Sequence, residues 1–597
     1  MKHLLTGLLV ALFTSTVGLA EKITELPAPD RPMAEVIDEA IDAKLKEENV
    51  TPAPQANDAT IARRLTLDLV GRAPTVKEAK DYIQSQDPAK RDAFIERLMN
   101  SPLYARHAAT EFNTLLQGPD GTGPDLREYL ISAMKENRPW NQIFLELMGE
   151  TEAEHDPQQF VRGRVKNVDV LTRDASAIFF GINVTCCQCH THPYVESLTQ
   201  DYYHGMKGFF TRSYEFHGKL FEKQFGPKIE YETGPGKTKE VGLMFLTGTK
   251  VDLPKPETDD LGKAIQEENK KIEELNKKNL EAKKTRAEAL ALAKKKEEEK
   301  KEILESGATP DRVKILAAID KEISDANAKA KELTFVYPED ASYSFRGQLS
   351  DVALRPKNEE LFARSIVNRV WHRLFGHGLV MRVDQMHDAN PGSHPQLLAW
   401  LARDMRTHNY DLRRLVKGIV SSKTYSRGSK WNPDDPTPPD KELFAVANLR
   451  ALTPMQYGVS ILLCGDPAFP PAAETFDNMI AGVEKTTVDK FKPIVQQPTD
   501  DFEVSADEAL GISNDAERLK LVGAKLVPEL LKIEDGKQRI EHAVWAVLSR
   551  APRTDEVALL GEYVTGHAGG ADGANTAEAL RQMVWALTTS AEFRFNH

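Results

Sequence analysis

Residues 261–333 are a long stretch rich in Lys, Glu and Ala, and no other part of the chain restricts the fold so strongly. Proline is absent from the stretch until Pro310, three residues after Gly307. Apolar residues recur at helical spacing on both sides of this interruption, namely Leu261, Ile265, Ile272 and Leu275 before it and Val313, Leu316, Ile319, Ile323 and Leu333 after it. Two narrow apolar seams of this kind are buried when their helices pack side by side. We therefore predict an antiparallel, coiled-coil-like helical hairpin with unequal arms over residues 256–335.

The hairpin has two interpretations that the sequence leaves open. It is either a spacing arm that binds a protein partner or a solvated insertion without a specific task. Its alternating Lys and Glu are a poor surface for nucleic acid. The chain of 597 residues has 78 basic and 90 acidic side chains and a net charge of -12. This balance also argues against a nucleic-acid partner, because phosphate contacts need a basic surface.

The segments on either side of the hairpin have the apolar periodicity of α-helices. Residues 33–149 read as successive amphipathic helices, and Thr75 with Glu78 forms a capping box at the start of one of them. Strand-like residues 228–231 and 242–246, separated by glycines, predict a small β element. The predicted fold class is therefore mainly α, with two helical domains, a small β element and the inserted hairpin.

Residues 1–20 have the features of a signal peptide. Lys2 precedes a mostly apolar run over residues 4–17, and small residues suited to cleavage follow it. The mature protein is therefore expected to be periplasmic or otherwise exported, with its first domain at residues 21–255 and its second at residues 336–597. We find no later run of about 18 uncharged apolar residues, so no transmembrane anchor is predicted.

Three of the four cysteines lie within a few residues of one another, and they give the clearest indication of chemistry. The segment from Cys186 to His190 fits C-x-x-C-H, in which two thiols bond to one edge of a haem and the histidine binds its iron. We predict haem c bound by Cys186, Cys189 and His190, in an exported protein. His192 is too near His190 in the chain to reach the opposite face of that haem. The second axial ligand is left open among six residues, which are Met206, Met244, Met386, His372, His377 and His394.

Two other chemistries fit the same cysteines. In the first, Cys186 and Cys189 bind zinc or iron together with His190 or His192 and a ligand from elsewhere in the fold. In the second, Cys186 and Cys189 form a disulfide or a redox-active dithiol, as C-x-x-C pairs can. The spacing of the residues alone does not decide between these alternatives and the haem.

The fourth cysteine and two polar clusters are given structural roles. Cys464 is a candidate disulfide partner for Cys187, and such a bond would link the two halves of the chain. One cluster suits a cation, a sugar or acid–base chemistry, but turn formation and helix capping are favoured for it. Its members are Asp384, His387, Asp388, Asn390 and His394. The other cluster, Arg63, Arg64 and Asp68, is predicted to be surface electrostatics on one helix. No catalytic residue is identified.

Two groups of motifs resemble known domains, and they occur in the order typical of one family. The first half contains RRLTLDLVGRAPT at residues 63–75, SPLY at 101–104 and CCQCHTHPY at 186–194. The second half contains FARSIVNRVW at 362–371, LFGHGLV at 374–380 and NPGSHPQLL at 390–398, and the ending at 590–597 is also similar. The first group resembles a planctomycete cytochrome-c-like domain of unknown function. The second resembles the planctomycete-specific domain of unknown function that usually accompanies it.

The cytochrome label of that family rests largely on C-x-x-C-H. This chain departs from the commoner forms in Cys187, which lies inside the motif, and in the hairpin between the two domains, and it has no second C-x-x-C-H. From the motif and the resemblance we expect an exported c-type haem-binding protein with an electron-transfer or oxidoreductase role and a periplasmic redox partner. The alternative is a non-catalytic binding or scaffold protein whose Cys/His cluster is a structural metal site or a disulfide.

Overall fold

The computed structural model describes residues 26–149, 153–252, 260–305, 311–431, 437–498, 511, 520–567 and 574–597. The predicted signal peptide over residues 1–20 lies outside them. Within the described residues the chain forms twenty-three α-helices and four two-stranded sheets, so the prediction of a mainly α fold is confirmed. None of the described helices is both long and apolar enough to span a membrane.

Ten helices precede the hairpin and contain the first group of sequence motifs. They are α1 (Met33–Glu47), α2 (Asp58–Val70), α3 (Val76–Gln84), α4 (Lys90–Met99), α5 (Pro102–Leu116), α6 (Arg127–Lys135), α7 (Trp140–Met148), α8 (Gln159–Arg162), α9 (Val168–Phe180) and α10 (Gln200–Gly208). A 3-10 helix, Thr185–Gln188, lies between the last two. The predicted capping box is confirmed at the start of α3, where the Thr75 and Glu78 side chains each accept from the other residue's backbone N–H.

Three antiparallel strand pairs follow α10 and form the predicted β element. They are β1 (Ser213–Phe216) with β2 (Lys219–Glu222), β3 (Glu230–Gly234) with β4 (Lys237–Glu240), and β5 (Leu243–Met244) with β6 (Lys250–Val251). The β5 strand packs directly on α10, because a Cβ added to Gly205 would lie only 2.7 Å from the Met244 Cβ. The β element therefore covers the helix that follows the cysteine motif.

The predicted hairpin is confirmed as α11 (Leu261–Glu305) and α12 (Arg312–Glu332). Two ion pairs join the helices, one from Lys296 to Glu322 and one from Lys300 to Asp320. The residue number of the lysine is higher in the second pair, whereas the residue number of its acidic partner is lower, so the two helices run antiparallel. The 45 residues of α11 extend for about 68 Å at the usual rise per residue.

The hairpin seam is made mostly of small side chains. Its buried apolar residues are Ala289, Ala293, Ile319, Ala326 and Ala330. The apolar spacing predicts Leu, Ile and Val in the seam, but most of its buried residues are alanines. Small side chains of this kind let the two helices approach closely. The predicted seam is wrong at Val313, which is 80% exposed. The hairpin is also fixed by Asn279, whose side chain donates to the Val336 carbonyl and accepts from the Val336 N–H.

Eleven described helices follow the hairpin. They are α13 (Phe345–Ala353), α14 (Glu359–Phe375), α15 (Pro395–Thr407), α16 (Leu412–Val420), α17 (Pro454–Leu463), α18 (Ala473–Lys490), α19 (Leu526–Leu531), α20 (Gly536–Leu548), α21 (Thr554–His567), α22 (Ala574–Thr589) and α23 (Ala591–Arg594). A short 3-10 helix, Lys441–Leu443, precedes α17. The strand β7 (Arg450–Ala451) pairs antiparallel with β8 (Phe595–Asn596), so the end of the chain returns to the middle of this half.

One hydrophobic core extends through both halves of the chain. The Phe144 ring lies 4.8 Å from the Phe179 ring and 5.1 Å from the Phe362 ring, measured between centroids. Phe144 and Phe179 precede the hairpin, whereas Phe362 follows it. A second, smaller core lies mainly among α17 and the helices after α18. Aromatic side chains from both sides of the hairpin are therefore buried together.

A buried carboxylate, that of Asp68, joins α2 to the second half. It accepts two hydrogen bonds from Arg450, at 2.9 and 2.7 Å, and one each from Tyr425, at 2.7 Å, and Asn596, at 2.9 Å. Asp68 is only 5% exposed. Because a buried charge is costly unless it is paired and hydrogen-bonded, this arrangement holds three distant segments together.

The prediction of helix-surface electrostatics for Arg63, Arg64 and Asp68 is wrong. Both arginines are 3% exposed, and they donate to backbone carbonyls far away in the sequence. Arg63 donates to the Phe593 carbonyl at 2.8 Å, and Arg64 donates to the Arg427 carbonyl at 3.0 Å. The α2 helix is enclosed by later parts of the chain, and its polar residues satisfy backbone groups of those parts.

Replacing Asp68 by Ala should lower the free energy of unfolding by about 3–5 kcal/mol, because the buried Arg450 guanidinium loses its counter-charge. Asp81→Ala is the control, since Asp81 pairs with Lys77 on an exposed face of α3 and its loss should cost less than about 1 kcal/mol. Urea unfolding of both variants measures the difference. Similar losses in the two variants would contradict the role given to Asp68.

Candidate functional site

The cysteine turn, residues 185–194, begins immediately after a sharp helix end. The α9 helix ends at Gly181, whose φ is 65°, and a Cβ at this position would lie 2.5 Å from the Met386 Sδ. Only glycine suits both the left-handed backbone and the close sulfur. The apolar α9 is buried in the core and therefore fixes where the turn starts.

The three cysteines of the turn point to different environments. Cys186 and Cys189 are exposed, whereas Cys187 is fully buried and its Sγ donates to the Leu198 carbonyl at 3.4 Å. Burial raises the pKa of the Cys187 thiol to about 11. Cys186 lies in the 3-10 helix and Cys189 directly follows the last residue of that helix, so the two thiols are about one turn apart along the chain. The cysteine inside the motif is thus directed into the core and away from its two neighbours.

The two histidines of the turn also differ. His190 is exposed, and its Nδ1 donates to the Thr191 carbonyl at 2.6 Å, which leaves Nε2 with the free lone pair in the neutral ring. His192 is buried, and its Nδ1 accepts from the Tyr194 N–H at 3.3 Å, so its neutral ring has the proton on Nε2. Burial lowers the pKa of His192. The His192 backbone N–H donates to the Leu198 carbonyl at 2.9 Å and closes the turn.

The second half of the chain contacts the cysteine turn through residues 384–387. The Asn183 backbone N–H donates to the Asp384 carbonyl at 2.7 Å, and the Asn183 side chain donates to the Asp384 carboxylate at 3.0 Å. The Met386 N–H donates to the Gly181 carbonyl at 2.9 Å. The His387 ring lies 5.5 Å from the His192 ring, centroid to centroid. The cysteine turn and residues 384–387, which are far apart in the sequence, are therefore neighbours in the fold.

The predicted polar cluster around residue 388 divides between two places. Asp384 and His387 lie at the cysteine turn, whereas His394 is buried beside the Phe444 ring at 5.6 Å. Asn390 holds the loop by donating to two backbone carbonyls. The contacts of Asn390 agree with the structural role that the sequence favours for it.

The six residues considered as second axial ligands are spread over the fold. Met206 is fully buried in the core, Met244 packs against α10, and Met386 packs against Gly181. His372 lines a separate cavity. His377 and His394 both lie near the Phe444 ring.

All four cysteines of the structure are free thiols. Cys464 donates to the Ala546 carbonyl at 3.4 Å and belongs to the smaller core, whereas Cys187 belongs to the larger one. The candidate disulfide between Cys187 and Cys464 is therefore not formed in this structure. Within the described ranges, no three His, Cys, Asp or Glu side chains form a group that could hold a metal ion.

The comparisons with known proteins agree with this organisation. Residues 36–215 match the family model PSCyt2, described as a protein of unknown function (DUF1549), and residues 345–468 match PSD1, described as a protein of unknown function (DUF1553). The chain belongs to the family in which the planctomycete cytochrome-c-like domain is followed by the PSD1 domain, as the motifs predict. No curated protein and no solved structure matches it significantly. The cysteine turn lies in the first match, and the segment that contacts it lies in the second.

A cavity of about 710 Å³, lined by both apolar and charged residues, lies between α5 and α14. It is lined by His107 and Glu111, which are four residues apart on α5, and by Arg373 of α14. Burial lowers the pKa of His107 to about 3, and burial raises the pKa of Glu111. The positive charge of Arg373 lowers the pKa of both groups, so its guanidinium lies near them. None of these three residues is predicted as a site residue from the sequence. The only local indication is the spacing of His107 and Glu111, which places them on one face of α5.

In protein purified without an attached haem, Cys186 and Cys189 should react rapidly with iodoacetamide at about pH 8, and Cys187 and Cys464 only after unfolding. Burial raises the pKa of Cys187 to about 11 and that of Cys464 to about 12, so their reactive thiolates are scarce. Peptide mass spectrometry assigns the modified sites. Rapid labelling of Cys187 in the native protein would contradict its inward direction.

Acid should destabilise the protein partly through His107. Its pKa is lower in the folded state than in the unfolded chain, so the unfolded state takes up a proton as the pH falls from about 6.5 toward about 3. This uptake contributes up to about 1.4 kcal/mol of lost stability per pH unit. His107→Gln should therefore show a shallower pH dependence of the free energy of unfolding between about pH 6 and 4. Substitution of the exposed His155 by Gln is the control. An unchanged slope in His107→Gln would refute the assignment.

Proposed function

We propose that the cysteine turn attaches haem c through Cys186 and Cys189, that His190 is its axial ligand, and that the protein transfers electrons in an exported compartment. The single observation that supports this proposal most is the difference in exposure among the three cysteine side chains. The two at haem spacing are exposed, while the intervening Cys187 is directed into the core. The additional cysteine therefore does not compete for the haem.

The two outer thiols have the arrangement that thioether attachment requires. They are three residues apart, with Cys186 inside the 3-10 helix and Cys189 at the residue that caps its end. Both are exposed, so an apolar macrocycle and the enzymes that attach it can approach from solvent. When bound, haem c supplies a one-electron redox couple.

The state of His190 also fits an axial ligand. Histidines that bind metals usually donate their other ring N–H to a carbonyl or carboxylate, which fixes the tautomer and the ring orientation. The Nδ1 of His190 makes this contact with Thr191 at 2.6 Å. The Nε2 atom is then the one available for iron.

The exposed position of the turn suits exchange of electrons with a partner. Cys186, Cys189 and His190 are all exposed, and the Tyr194 side chain nearby is 81% exposed. A redox partner can thus approach the site closely. The backbone bonds from Asn183 and Gly181 to residues 384–386 hold the turn against the second half, which limits rearrangement around the site. The cytochrome-c-like family of the first domain supports the same proposal.

A second candidate function, a structural zinc or iron site in a non-catalytic protein, is favoured by one observation. The ring of the buried His192 lies 5.5 Å from the ring of the half-buried His387, and the Nδ1 atom of His387 is buried without a hydrogen-bond partner among the described residues. An ion at this place would take the lone pair of that nitrogen. Cys186 or Cys189 would have to move toward the two rings to complete a ligand set, because the described residues contain no preformed group of three ligands.

Expression in a periplasm that matures c-type haem should give a coloured protein whose haem survives denaturation, detected by its Soret band and by intact mass. Cys186→Ala and Cys189→Ala should each prevent attachment through both thioethers, and His190→Ala should change the spectrum of the iron. Cys187→Ala is the matched control and should retain the haem, because its side chain is in the core.

Three results would contradict the proposal. A colourless protein with stoichiometric zinc that is lost in His387→Ala would favour the second candidate. A colourless, metal-free protein would contradict both functions. Loss of haem in Cys187→Ala alone would show that the cysteines are used in another way.

A further inference from the structure

The cavity between α5 and α14 has the size of a small-molecule site, and the proposed haem chemistry does not use it. Its volume is about 710 Å³, within the range of roughly 300–1,000 Å³ that is usual for such sites. Much of its wall is apolar and is formed by Phe112, Leu115, Ile366, Val370 and Val446. An apolar ligand body would lose its contact with water there, which favours binding.

The cavity is also cationic. Five basic side chains line it: Arg369, Arg373, Lys441, Arg450 and Arg594. Arg369 donates to two carbonyls at the end of α9, and Arg450 is paired with Asp68. Arg373 differs from both, because it makes no ion pair with any described residue and its Nε is buried without a hydrogen-bond partner. Its charge is therefore available to a ligand.

Neither acidic residue of the cavity forms an ion pair with Arg373. The Asp68 carboxylate is already neutralised by Arg450. The Glu111 side chain makes no hydrogen bond or ion pair with any described residue, and burial raises its pKa while the charge of Arg373 lowers it. The cavity is thus lined by a guanidinium, that of Arg373, that has no ion-pair partner among the described residues.

We propose that this cavity binds an amphipathic organic anion, whose acidic group pairs with Arg373 and whose apolar body lies against Phe112 and Val446. A guanidinium binds a carboxylate or sulfonate through two parallel hydrogen bonds. Binding of this kind is independent of whether haem is attached to the cysteine turn.

A pair of fluorescent probes tests the proposal on the full mature chain. Anilinonaphthalene sulfonate has apolar rings and an anionic group, and N-phenylnaphthylamine has the same rings without the charge. The sulfonate should bind saturably at one site per chain, and decanoate should displace it whereas decanol should not. Displacement by decanol as effective as that by decanoate would show an apolar pocket and would overturn the proposal.

Variants identify the place of binding. Arg373→Gln should weaken sulfonate binding at least about tenfold, because a charged hydrogen-bonding partner is lost, and should leave N-phenylnaphthylamine binding within about twofold. Arg286→Gln is the matched control, since it removes the same charge from the exposed surface of the hairpin. An unchanged sulfonate affinity in a folded Arg373→Gln would overturn the proposal.

A second pair of variants serves if Arg373→Gln does not fold. Leu449 lines the cavity and is 60% exposed, so its substitution should be tolerated. Leu449→Glu should weaken sulfonate binding several-fold relative to Leu449→Gln, because the new negative charge repels the anion. Equal affinities in these two variants, or no saturable sulfonate binding to the wild type, would overturn the proposal.

Discussion

The carboxylate of Asp68 is the interaction on which the joining of the two halves depends most. It lies on α2, near the start of the chain, and receives hydrogen bonds from Arg450, Tyr425 and Asn596. A buried carboxylate is stable only when donors surround it, so these three segments must be in place together. Arg450 also lines the cavity, and so does Arg373, which has no ion-pair partner among the described residues. A single buried charge therefore links the closure of the fold to the character of the cavity.

The cysteine turn depends on the same association of the two halves. Its inner side is fixed by the buried Cys187 and His192, and its start is fixed by backbone bonds between residues 181–183 and residues 384–386. The fixed inner side leaves Cys186, Cys189 and His190 exposed. This arrangement offers a physical reason why the cytochrome-c-like and PSD1 domains occur together, since the second domain supports the loop of the first.

Local sequence patterns were sufficient for the elements of the fold and for part of the site. Helical periodicity, the Thr75 capping box and the hairpin were all predicted, because each depends on residues that are close in the sequence. The burial of Arg63 and Arg64 was missed, because their partners lie hundreds of residues away and no local pattern indicates them. For the same reason the contact of His192 with His387 and the grouping of His107, Glu111 and Arg373 were not foreseen. Residue spacing alone also does not predict that the Cys187 side chain points into the core.

The central claim is that the three cysteines of the turn have different roles, two outward for haem and one inward for the core. Tryptic digestion of the protein matured in a periplasm places all three on one peptide, residues 174–207. Tandem mass spectrometry of that peptide should locate one haem on Cys186 and Cys189, with Cys187 as a free thiol. An unmodified peptide, a haem bonded to Cys187, or a disulfide between Cys186 and Cys189 would contradict the claim.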